Sequence, residues 1–169
     1  MSVTTLRRAI RGLAALAPVV AIIFVPAQAA TAAPATVCAP VFLTAAGQDL
    51  GPDAQGNLHT TATVSLVGVQ VATTNATFAP AGSPTGTTLS FSGPIVFSPI
   101  GAGTPTLTAN VLGTVDLGRG SFQATSTSVT GTGLLTGVSG SLTFRGTENL
   151  STGVFNETIT GRVCSPIRH

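Results

Sequence analysis

The chain has 169 residues, with seven arginines but no lysine, five acids, and neither tryptophan nor tyrosine. Counterion release from a nucleic acid needs clustered cations, and base stacking favours aromatic platforms, so this composition excludes nucleic-acid binding. Isopeptide crosslinks, which consume a lysine amine, are excluded as well.

The N-terminal segment MSVTTLRRAIR carries Arg7, Arg8 and Arg11 and no acid, and the apolar run GLAALAPVVAIIFVP follows it. AQA and ATA then supply small-x-small cleavage sites near Ala29 and Ala32. This is the layout of a secretory signal peptide over residues 1–32, cleaved near 29 or 32. The apolar run is short and interrupted by proline, so no stable membrane span is expected after processing. The expected location is secreted, either extracellular or at the cell surface. The remaining domain, residues 33–169, keeps four arginines (Arg119, Arg145, Arg162, Arg168) against five acids, a net charge of −1. The basic character of the full chain therefore belongs to the leader.

Cys38 and Cys164 lie near the two ends of this domain. In an exported protein the default reading is one disulfide. A lipid-anchor role for Cys38 is disfavoured, because ATV places no small residue directly before it and Cys164 would be orphaned. Closing a loop of this length is worth about 4–5 kcal/mol in the chain-entropy model.

Between the cysteines the signal is alternation. HTTATVSLVGVQV, TTLSFSGPIVF, TLTANVLGTVDL, GSFQATSTSV, GSLTFRGTE and GVFNETITGRV all read as strands of period two. PAGSPTG and SPIGAGTP punctuate them as turns. Roughly seven or eight short strands in one domain predict an all-β fold, an antiparallel barrel with a β-sandwich as the alternative. Joining the last two strands through a loop of Asn149 to Thr152 pairs Glu148 with Gly153, Phe144 with Glu157 and Leu142 with Ile159. Arg145 and Asn156 then meet on the opposite face. If the first strand begins at Cys38 and the last ends at Cys164, antiparallel pairing of first with last locks the seam of a closed barrel.

VTGTGLLTGVSGSLTFRG, from Val129 to Gly146, invites a phosphate-loop reading. Its glycines at 131, 133 and 137 miss the GxGxxG spacing, a strand follows, and there is no lysine. The glycines are read as turn and bulge positions. The same series, followed by TGVFNETITGRV, resembles a pattern in small exported bacterial proteins. It is also similar to the core strands of plant dirigent proteins and allene oxide cyclases. The similarity covers Thr106 to Val163 and implies an eight-stranded, calycin-like barrel with an apolar interior, often a trimer in the plant relatives. Dirigent proteins use acids, arginines and a tyrosine around a pocket; here tyrosine is missing, and Arg145 and Arg162 fall on the outer face. Allene oxide cyclases use a glutamate and a held water.

The candidate site is built on parity. Glu157 points inward with Phe144, Phe155 and Ile159, where desolvation would raise its pKa and suit it to be a general acid or a ligand anchor. The competing reading is a bulge that turns it outward, or local donors that satisfy it. Glu148 shares the inward parity at the hairpin mouth, where simple solvation is the expectation. His59 reads as a surface residue without an acidic partner, so no serine finds a triad. His169 is terminal. Asp49, Asp53 and Asn57 miss the EF-hand spacing and read as turn residues, and no metal site or cofactor is expected. The sequons NAT, NLS and NET are expected by chance in a Thr-rich chain. Two functions follow. The first is a non-enzymatic exported barrel that binds a small apolar molecule or serves as a surface component. The second is an isomerase or cyclase of the dirigent or allene oxide cyclase type, acting on a lipid-derived or phenolic substrate.

Overall fold

The computed structural model describes residues 35–101 and 105–167. The expected signal peptide and His169 lie outside these. The alternating Thr, Ser and Val segments form eight strands: β1 Thr36–Pro52, β2 Leu58–Leu66, β3 Val69–Pro80, β4 Thr88–Pro99, β5 Leu107–Asp116, β6 Ser121–Gly131, β7 Ser139–Asn149 and β8 Val154–Pro166. Each pairs antiparallel with the next, and β1 pairs with β8, so the sheet is a closed barrel rather than a sandwich. The seam runs from Thr36 opposite Pro166 to Gln48 opposite Val154. Cys38 faces Cys164 in it, bridged by a disulfide with Cα atoms 3.9 Å apart.

Alternation places one residue in two inside. Val64, Phe144 and Ile159 are the largest fully buried side chains, with Ala109, Val111, Val129 and Leu142 among their buried companions. One end of the barrel is filled. The connection from β6 to β7, with a single 3-10 turn at Gly133–Leu135, brings Leu135 and Val138 against this core. The glycine series around it is therefore a turn and a plug, and no helix follows it. The other end carries the β1–β2, β3–β4, β5–β6 and β7–β8 connections and stays open.

Two details depart from the sequence expectation. HTTATVSLVGVQV is not one strand, because it folds back at Val67–Gly68 into β2 and β3. Val67 takes a positive φ of 49° and is 94% exposed, an unusual conformation for a β-branched residue. The β7–β8 register is offset by two from the expected one. Glu148 faces Phe155, Gly146 faces Glu157 and Phe144 faces Ile159, while Arg145 meets Thr158. The loop is Leu150 to Gly153 because Gly153, at φ 70°, closes the turn by donating its N–H to the Asn149 carbonyl at 2.7 Å. A shift of two keeps every side chain on its face, so the inward assignments survive the new partners.

Two measurements check this reading. Replacing Val67 with Asn, which tolerates the left-handed conformation, is expected to raise stability by about 1 kcal/mol in denaturant unfolding. An unchanged midpoint would mean that the turn carries no strain. Reducing the Cys38–Cys164 bridge, which spans 126 residues, is expected to lower stability by up to about 5 kcal/mol. A reduced protein with the oxidised midpoint would show that closure rests on the ladder alone.

Candidate functional site

The open half of the barrel encloses a cavity of about 310 Å³, at the lower end of ligand-pocket sizes. Its wall is mostly apolar: Phe78, Phe91, Phe122, Phe144 and Phe155 with Leu58, Leu89, Ile95, Val115, Leu117 and Leu150. Its space depends on paired small and large residues in adjacent strands. Phe155 lies opposite Gly47 and Phe122 opposite Gly146. A Cβ on either glycine would overlap the facing ring, so each phenyl lies over a bare stretch of backbone. Phe122 and Phe155 meet edge to face with centroids 6.0 Å apart, and Phe78 and Phe91 at 5.0 Å.

Glu157 stands in this wall, between Ala45 on β1 and Gly146 on β7. No bulge interrupts β8 against either neighbour, so its parity is inward as expected. Its carboxyl makes no hydrogen bond or ion pair with any described residue. Burial alone pushes its pKa up to about 7.

Phe144, Phe155, Glu148 and Glu157 line the cavity, as do Asp49 and the hydroxyl-bearing Thr60 and Thr74. Ile159 does not; it is fully buried in the filled half. Glu148 is not simply solvated at the rim. It is half-buried and hydrogen-bonded to Asp49, and burial first, then the Asp49 charge, raises its pKa. Asp49 is held in turn by the Gly51 N–H, which donates to its Oδ1 at 2.6 Å. By its spacing Asp49 reads as a turn residue. A bulge at Asp49–Gly51 lets β1 run on past the expected turn and keeps Asp49 in the wall.

His59 corrects a second expectation, since it does have an acidic partner. Its Nε2 lies 3.0 Å from Asp53 Oδ2, and Thr77 Oγ1 lies 3.2 Å from Nδ1. Asp53 also accepts from the N–H groups of Gln55 and Asn57 and from the Asn57 side chain. These bonds, that of the Asn57 side chain first, hold its carboxyl well below the usual range. The cluster fastens the β1–β2 connection to the outside of the barrel, away from the cavity. Among the described residues no group of three or more His, Cys, Asp or Glu side chains is placed to hold a metal ion.

No protein-family model matches the chain, and no curated protein sequence matches it. Solved structures do. One pterocarpan synthase dirigent protein superposes with a TM-score of 0.56 at 8% identity, covering 80% of this chain and 94% of its own. A second superposes with a TM-score of 0.53 at 10% identity, covering 78% and 97%. The likeness is one of fold. It supports the dirigent-like part of the expected resemblance.

The site makes a pH-dependent contribution to stability. The folded Glu157 carboxyl keeps its proton to about pH 7, whereas an unfolded one releases it near 4.5. Between those values the folded state binds more protons, so stability falls as pH rises and levels off above. The drop is on the order of 3 kcal/mol. Glu148 acts in the same direction, and Asp53 acts oppositely but only in acid. Replacing Glu157 with Gln is expected to flatten most of the decline in urea midpoints. An unaltered slope in the variant would contradict this assignment.

Proposed function

We propose that this chain is an exported binding barrel that takes a small, largely apolar molecule into its open end and holds it through Glu157. The observation that carries the reading is the cavity of about 310 Å³ with an apolar wall and a carboxyl that has no partner among the described residues. An unsatisfied acid in an apolar wall is costly, and a ligand hydroxyl, carbonyl or amine would relieve that cost. The disulfide is compatible with an oxidising compartment and so with secretion, and no described helix is long and apolar enough to cross a membrane.

A second reading is favoured by one further observation. A carboxyl titrating at about 7 both gives and takes protons at neutral pH, which suits general acid–base catalysis on a bound phenolic or lipid-derived substrate. The fold likeness to proteins called pterocarpan synthases is compatible with such chemistry.

The neutral fluorophore N-phenyl-1-naphthylamine tests the binding reading. Its emission is expected to rise saturably with one site per barrel. Replacing Ala124, which lines the cavity, with Leu is expected to weaken that binding by about tenfold or more through lost volume. No saturable rise, or binding indifferent to Ala124→Leu, would overturn the reading. Native mass spectrometry of the secreted protein would then show whether a natural ligand is retained, and turnover of that ligand would favour the catalytic reading.

A further inference from the structure

The proposed binding site has a consistent electrostatic character, and it points to a class of ligand. The chain carries five acids, and three of them, Asp49, Glu148 and Glu157, lie in the cavity wall. The three described arginines do not. Arg145 and Arg162 are exposed on the outer face of β7 and β8, and Arg119 is exposed in the β5–β6 connection, where its charge acts on Asp116. Glu157 is the deep carboxyl and has no partner among the described residues, while Asp49 and Glu148 bond to each other nearer the mouth.

An anionic ligand, such as a fatty acid or an aryl carboxylate, would meet three acids and no described cation in the wall. A neutral alcohol could bond Glu157, but it would leave the surrounding field unused. A protonated amine on an apolar body meets each feature. Its ammonium pairs with the Glu157 carboxylate in an environment of low polarity, where a charge-assisted bond is strong. Phe122, Phe144 and Phe155 line the same cavity, where an aromatic ring attracts a cation. The body fills the apolar remainder. Such a pair also offsets the cost of the isolated acid, because the opposite charge of each partner replaces hydration that the other has lost.

We propose that the cavity selects apolar amines, with Glu157 as the residue that receives the ammonium. This rests on the reading of the barrel as a binding protein and adds the ligand class to it. The selectivity is local to one side chain. Glu148, already bonded to Asp49, contributes field at the mouth rather than a direct contact.

The test compares three probes that share one body: 1-naphthylmethylamine, 1-naphthalenemethanol and 1-naphthoate. Each is titrated at neutral pH as a competitor of N-phenyl-1-naphthylamine. The amine is expected to displace the fluorophore at about tenfold lower concentration than the alcohol, the difference between a charge-assisted and a neutral hydrogen bond. Naphthoate is expected to be the weakest. Glu157→Gln should bring the amine to the level of the alcohol while the alcohol itself changes little. Glu148→Gln should preserve most of the preference. Equal displacement by amine and alcohol in the unaltered protein would overturn the proposal and leave the binding reading intact. A preference that survives Glu157→Gln would also overturn it. Failure of the fluorophore to bind at all would instead remove the binding reading on which the proposal stands. The amine-to-alcohol ratio of the unaltered protein decides the matter even where a variant fails to fold.

Discussion

Pairing of the first strand with the last is the constraint on which the rest of this molecule depends. β1 runs from Thr36 to Pro52, long enough to bond β8 along one edge and β2 along the other. That double pairing removes both sheet edges, which in an open sheet would present unpaired backbone groups to other chains. It also ties together two chain segments more than a hundred residues apart, the kind of contact whose loop-closure entropy is highest. The Cys38–Cys164 bridge sits in that seam and reduces the same entropy in the unfolded chain. Once the seam is closed, the direction of every inward side chain is fixed around the ring.

What fills the ring then divides it into two halves. Around Val64, Leu142 and Ile159 the branched side chains meet across the lumen, and Leu135 and Val138 stop that end. Toward the mouth the strands use a different device. A glycine on one strand receives the phenyl of its neighbour, Gly47 that of Phe155 and Gly146 that of Phe122, so the rings line the wall. Apolar surface is buried without closing the lumen. The environment that raises the Glu157 pKa follows directly, since the residues nearest it in the ladder are Ala45 and Gly146 and the rings beside them offer no hydrogen-bond donor.

Much of this was legible in the sequence because alternation is a strong local signal in a chain with few charges. The all-β class and the inward direction of Glu157, Phe144 and Phe155 follow from period two, while the bridge, and closure in preference to a sandwich, rest on the two cysteines at the ends of the domain. Three features were not legible, each for a physical reason. The β2–β3 turn carries Val67 where a hairpin of this length ordinarily signals itself with Asn or Asp, so the two strands read as one. The offset of the β7–β8 register depends on which residue of the loop takes the left-handed conformation. Apolar residues on one face tolerate a slip of two, so the pattern does not decide it. Asp49 and Asp53 sit four apart in one turn-like stretch, and only the bulge at Asp49–Gly51 decides that the first lines the cavity while the second fastens the rim.

The contrast between Asp53 and Glu157 carries the functional argument. Asp53 shows how this chain treats a carboxylate whose purpose is structural. It accepts bonds from Gln55, Asn57 and His59, and those bonds hold its proton off deep into the acid range. Glu157 is given none of that. It is half-buried in an apolar wall with no donor among the described residues, and above neutral pH its charge subtracts from stability. A residue that weakens the fold and supports no neighbouring group is not explained by the architecture around it. Gln at the same position would keep its shape without burying a charge. The carboxyl is explained if its partner arrives from outside, through the open end of the barrel, carrying the complementary group that the wall lacks.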